Sequence, residues 1–189
     1  MASETGICNS ALVKIGAARI VALDDGSRNA NACAELYPKL RDDLLRAHPW
    51  NFAVARVKLG RLAAAPIFGF AYEYQLPTDW LRTLAVYDND RGEGAVDYRL
   101  EGRRLACSAE DVWLRYVRIV TDANEMPTDF REALATMLGR DLAIPIAQSN
   151  SLREIMDQAF RDALGRARST DALEDFPEAL PEGSWVSVR

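Results

Sequence analysis

Three sets of side chains in this sequence have types suited to chemistry: the single histidine, His48; the acidic pairs Asp24-Asp25 and Asp42-Asp43; and the cysteines Cys8, Cys33 and Cys107. One histidine cannot make a His-based metal cluster, and any Ser-His-Asp or Cys-His arrangement would have to be built on it. Its place just before Pro49, at the end of a helix-forming run, suits a simpler role: a ring nitrogen offered to a terminal carbonyl or to the negative helix end. An acidic pair joined by a third carboxylate can hold Mg²⁺ for phosphodiester cleavage. Adjacent helical residues, however, point about 100° apart, so Asp42 and Asp43 do not easily share an ion. The expected roles are Asp24 or Asp25 capping the second helix, and Asp42 and Asp43 pairing with Arg46 and Lys39 one turn away or with Arg on a neighbouring subunit. The cysteines are odd in number, widely spaced and without a CxxC, which predicts reduced, buried thiols and neither a disulfide framework nor a zinc site. Gly92-Glu93-Gly94 lacks the third glycine of a dinucleotide loop, and no GxxxxGK occurs. The sequence therefore predicts no catalytic residue, no metal, no cofactor and no enzyme.

The elements that position these residues can be read from periodicity. Ser3 or Thr5 caps a first helix whose face is Ile7, Cys8, Ala11, Leu12 and Ile15, and Gly16 ends it. Ala30, Cys33, Tyr37, Leu40 and Leu44 form the seam of a second helix that Pro49 closes, with a kink or break expected at Pro38. From Trp50 the period changes to two: Trp50, Phe52 and Val54 alternate. Phe68, Phe70, Tyr72, Tyr74 and Leu76 then form a ladder that predicts one strand with five large side chains on one face, closed by Pro77. This face is expected to floor a small β unit against which Trp80 or Trp113 settles. Further strands are expected at 84–87, 96–100, 105–107 and 112–119, with Glu101-Gly102-Arg103 as a hairpin turn and 88–94 as an exposed polar tip. Helical spacing returns with Phe130, Leu134, Met137, Leu138 and Leu142, capped by Thr128 or Asp129. It continues, after a Ser149-Asn150-Ser151 cap, with Leu152, Ile155, Met156, Ala159, Phe160 and Ala163.

This order predicts an α+β, mainly helical fold. Residues 1–49 and 121–168 form one helical bundle, 50–120 a small antiparallel β insertion projecting from it, and 169–189 an extended tail. The tail is acidic, with Asp171, Glu174, Asp175, Glu178 and Glu182 against Arg189 alone, and is punctuated by Phe176, Trp185, Val186 and Val188. The whole chain, 189 residues with a net charge of -5, is thus nearly neutral outside the tail. Such a surface does not release counterions from DNA as a phosphate-gripping protein must, but it suits a wall past which DNA slides. No apolar run approaches the roughly 20 residues of a membrane span, and no signal peptide is evident, so a soluble protein made in a cytoplasm is expected. Arg far outnumbers Lys, which fits bidentate contacts between subunits and equally a GC-rich coding bias.

Several of these residues also carry a resemblance. Ile7-Cys8-Asn9-Ser10-Ala11-Leu12 with Ile15-Gly16 and Leu23-Asp24-Asp25 is similar to the opening of the phage tail tubular protein A family, the portal-to-tail adaptors of bacteriophages. So is the run Tyr37, Arg41-Asp42, Leu44-Leu45-Arg46, His48-Pro49-Trp50-Asn51-Phe52-Ala53, and then Tyr72, Tyr74, Leu76-Pro77 and Trp80-Leu81-Arg82. The specific likeness covers somewhat under half of the chain. It implies a virion protein of the head-to-tail junction, synthesised in a bacterial host cytoplasm. It implies a closed ring, a dodecamer matching portal symmetry, while the sequence by itself implies no subunit number; the partners implied are the portal and a tail tube or nozzle protein, with DNA passing through the lumen unbound and no membrane involved. The resemblance further implies that Phe176, Trp185, Val186 and Val188 in the tail dock on a neighbouring subunit or the portal. Two other readings remain: a metal-dependent nuclease using Asp24 or Asp42, and a host-encoded helical protein-binding module.

Overall fold

The computed structural model describes residues 1–174. Helices α1 (Glu4–Lys14) and α2 (Arg28–Ala47) lead through a 3₁₀ turn at Asn51–Ala53 into strands β1 (Val54–Lys58), β2 (Tyr72–Gln75), β3 (Trp80–Tyr87), β4 (Tyr98–Glu101), β5 (Arg104–Cys107) and β6 (Trp113–Arg118). Helices α3 (Thr128–Leu142) and α4 (Asn150–Glu174) follow. The strands form two antiparallel three-stranded sheets, β1-β6-β3 and β2-β5-β4.

The fold is α+β, and the expectation of a mainly helical bundle with a small β projection is overturned by these two sheets. The physical reason lies in β6, which is buried from both sides. Val117 packs into the helical core with Trp50, Phe130 and Leu134, while Leu114 and Tyr116 enter a second core with Tyr74, Leu76, Val86 and Leu105. Alternate residues of a strand point to opposite faces, so the first sheet is a shared layer between the helices and the second sheet. Each β segment thereby closes a core of its own.

Around the first core, α3 is the helix that α1, α2 and α4 all contact. Ser3 caps α1 by accepting from the Gly6 amide, and all five expected apolar residues of α1 are buried. Gly16, at φ 69°, supplies the left-handed residue that ends it. Ser27, not Asp24 or Asp25, caps α2 by accepting from the Ala30 amide; Asp25 instead accepts from the Val21 and Ser27 amides and fixes the turn before the cap. The Ser27 hydroxyl first, and then these amides, hold the Asp25 carboxyl below the usual carboxylate range. Helix α2 runs unbroken through Pro38. Both Pro38 and Ala34, whose carbonyl loses its partner, are exposed, so water can supply the missing bond.

The aromatic ladder is corrected most. Only 72–75 form a strand; Ile67 and Phe68 are 99% and 85% exposed, whereas Tyr74 and Leu76 are buried. Gly69, at φ 94°, interrupts the extended backbone the ladder requires. Trp50 likewise precedes and Phe52 lies within a 3₁₀ turn, so neither begins the strand. The turn at Gly102 (φ 61°) joins β4 and β5 as expected. Helix α4 buries Met156, Ala163 and Ala167 and leaves Ile155 exposed. It continues to Glu174, so 169–174, assigned to the extended tail, are helical here. Phe176, Trp185, Val186 and Val188 lie outside the described residues.

Candidate functional site

The residues singled out by sequence fall into two groups that the fold does not bring together. The first surrounds the link from α2 to β1. Arg41 is buried, and its guanidinium meets Asp42 at 2.8 Å and Glu4 of α1 at 3.8 Å. Asp42 therefore pairs with its own neighbour and not with the groups one turn away. After Pro49 turns the chain, the fully buried Trp50 donates its Nε1 hydrogen to the Leu44 carbonyl at 2.9 Å and packs edge-on to Phe130 at 5.1 Å. Phe52 meets the same Phe130 ring at 4.9 Å. These contacts bind the end of α2 to the start of α3.

His48 has a partner that no local pattern announces. Its Nε2 lies 3.1 Å from Oδ2 of Asp171, in the last turn of α4, and its ring stacks edge-on to Trp50 at 4.6 Å. The other carboxylate oxygen of Asp171 accepts from the Asn51 amide at 2.9 Å, while the Asn51 side chain donates to the Asp171 carbonyl at 2.7 Å. The expected contact of His48 with the end of its own helix is replaced by this bridge. Asp171 was read as part of an acidic tail because its partners stand about 120 residues away in sequence, where no spacing rule reaches.

The second group lies in the distal sheet. Tyr72 lies beneath the Arg61 guanidinium at 4.8 Å, and the Tyr74 hydroxyl sits 2.6 Å from the Ala109 carbonyl and 2.8 Å from that of Glu110. Burial raises the Tyr74 phenol above its ordinary range. Leu76 fills the second core, and the Pro77 carbonyl accepts from Arg103. Trp80 packs at the edge of that core and Trp113 lies under Lys58, so the tryptophans take separate places.

Among the described residues no three His, Cys, Asp or Glu side chains converge as a metal site would require. Within the two acidic pairs, Asp25 is engaged by the turn before α2 and Asp42 by Arg41. Cys8 and Cys33 are buried between α1 and α2, where hydrogen bonding between them and burial push the Cys8 thiol up. A cleft of about 810 Å³ between α3 and α4 is lined by charges that neutralise one another, with Arg140 bridging Asp141 and Asp157, and Arg161 also meeting Asp157. A smaller cleft on the first sheet is different in kind: Arg56, Arg91 and Arg115 border it beside Tyr87 and Trp113. Its residues carried no sequence motif, and only strand register reveals their proximity.

Neither the models of known protein families nor the curated protein sequences give a match to this chain. The geometry and the residue-level resemblance are what a functional reading can draw on.

Proposed function

We propose that this chain is a phage head-to-tail adaptor, a structural protein that joins its copies into a ring beneath the portal and presents a docking surface to a tail tube or nozzle. The observation that carries this reading is the ordered run from Arg41 through His48-Pro49-Trp50 and Phe52 to Tyr72, Tyr74 and Leu76-Pro77, the part of the chain that resembles the tail tubular protein A family. In the fold the first part of this run binds the end of α2 to the start of α3, and the second part packs in the core of the distal sheet. Side-by-side, non-self-complementary contacts close such a ring, and portal symmetry would set twelve copies. DNA passes through the lumen without being held, in keeping with the negative net charge of the chain. The segment 175–189, with Trp185 as its anchor, is the docking element.

Negative-stain imaging of the purified protein mixed with its portal tests the reading. The expected outcome is a ring stacked coaxially on the portal, and removal of Ser184 to Arg189 is expected to weaken that stacking. Particles in which the portal stays bare at micromolar protein would overturn the proposal.

A further inference from the structure

The cleft on the first sheet contains a local conflict. Arg56 on β1 and Arg115 on β6 are direct partners in the antiparallel register, and like charges directly opposite each other on one sheet face destabilise the pair. Neither guanidinium, nor that of Arg91 in the adjoining loop, has a carboxylate within ion-pair distance among the described residues. Nε of Arg115 is buried with no hydrogen-bond partner there. Lys58 next in register is already engaged by Asp111 at 3.0 Å, so the Asp111 charge is not free to relieve the arginines. Asp90 is the single acid at the rim. The cleft measures about 350 Å³ and has the rings of Tyr87 and Trp113 in its lining. This size admits one or two side chains of a peptide and not a nucleic-acid strand, which the negative charge of the whole chain would also repel.

The chain supplies a complementary segment. Residues 175–189 hold Asp175, Glu178 and Glu182 against Arg189 alone, with Phe176 and Trp185 among them. They follow directly on α4, whose final turn is fastened by Asp171 to Asn51, close to the start of β1. Fifteen extended residues span up to roughly 50 Å, while Arg56 lies only five residues along the chain from Asn51. We infer that the acidic segment 175–189 docks in the Arg56–Arg91–Arg115 cleft, with Glu178 or Glu182 forming bidentate guanidinium contacts and an aromatic side chain settling against Tyr87 or Trp113. Planar carboxylate-guanidinium pairing suits two stacked arginines better than lysines, and it removes the like-charge conflict. This docking names a receptor for the segment that the adaptor reading treats as a docking element, and rests on that part of it.

The test is hydrogen exchange on the full-length protein. At low salt the amides of 176–186 are expected to exchange on the order of tenfold more slowly than in a free peptide of the same sequence, the scale of two charge-assisted contacts near the surface. The Glu178→Lys/Glu182→Lys variant, which leaves the folded body untouched, is expected to abolish that protection. Arg56→Glu/Arg115→Glu is expected to do the same, and combining the two pairs to restore it. Protection that falls on dilution places the segment in a neighbouring copy's cleft; protection independent of concentration places it in its own, and either supports the docking. Unprotected tail amides in the unaltered chain, or protection that survives both charge reversals, would overturn it. Portal binding is a separate readout: rings without tail protection reject the cleft and keep the adaptor, and tail protection without rings does the reverse.

Discussion

Replacing Asp171 by alanine removes the one carboxylate that joins the end of α4 to the link between α2 and β1. The side chain is 10% exposed and accepts from the Asn51 amide at 2.9 Å and from His48 Nε2 at 3.1 Å. A hydrogen bond to a charged acceptor contributes about 1.5–3 kcal/mol, and a partly buried donor left without a partner adds to the loss. Asp171→Ala is therefore expected to cost about 2–3 kcal/mol. Asp171→Asn keeps an acceptor for the Asn51 amide and should cost about 1 kcal/mol by the same scale. Equilibrium urea unfolding followed by far-ultraviolet circular dichroism measures this. With a slope of about 2 kcal/mol per molar for a chain of this size, the alanine midpoint should fall by roughly 1–1.5 M and the asparagine midpoint by about a third of that. The backbone bond from the Asn51 side chain to the Asp171 carbonyl persists in both variants, so helix α4 should remain. An alanine midpoint within about 0.2 M of the parent would show that the bridge carries no net energy and would refute the reasoning.

Two further expectations rest on other contacts. The Tyr116 phenol is pushed up to about 12 by burial first and then by Asp79, whose carboxylate accepts from it at 3.1 Å. A raised folded value means that this group's contribution to stability is complete below the unfolded value near 10 and is lost as pH rises towards 12; Tyr116→Phe should flatten the fall in stability across that window, measured by unfolding at stepped pH. In α3, a β-carbon built on Gly139 comes 3.0 Å from the Met156 methyl and 3.5 Å from the Ala11 carbonyl. Gly139→Ala should be within about 1 kcal/mol of neutral, because the helix-propensity gain offsets a small shift of a flexible Met, whereas Gly139→Leu should drive α1 from α3 and cost more than about 2 kcal/mol; thermal or urea midpoints decide.

The helices were legible in the sequence because each has one apolar stripe: the five apolar residues at α1, the Ala30–Leu44 seam of α2 and, with Met137 only half-buried, the Phe130–Leu142 face of α3 are covered where their spacing puts them, although α3 starts after Pro127 without the side-chain cap expected from Thr128 or Asp129. The ladder from Phe68 to Leu76 misled because alternation reports which side chains would share a face if the backbone were extended, and Gly69, at φ 94°, breaks that extension in its first half. The second core escaped notice for a related reason. Short strands such as Tyr98–Glu101 and Arg104–Cys107 have too few residues to display a period, so the pairing of Arg104–Cys107 with β2 on one side and Tyr98–Glu101 on the other emerges only in the register. Asp171 and the Arg56–Arg115 pair were illegible in principle, since they depend on residues brought together across 120 and 59 positions of chain.

The preponderance of arginine over lysine, read from sequence as a trait of subunit interfaces or of coding bias, has a third account in the fold. Arg28 donates to the Pro145 carbonyl, Arg46 to that of Leu81, Arg82 to that of Arg46, Arg103 to those of Pro77 and Thr78, and Arg131 to that of Ala123. Each contact fastens a loop or strand end to a neighbouring element through a carbonyl that the helices and ladders leave free. A guanidinium has five donors in a fixed plane and retains its charge when partly covered, so it can serve a carbonyl while its stem packs against apolar neighbours. The reciprocal pair formed by Arg46 and Arg82 matters most, because it crosses between α2 and β3, where the helices meet the first sheet. The Asp171 bridge fastens α4 to the link that follows the same end of α2. Arginine richness therefore needs no neighbouring subunit to explain it.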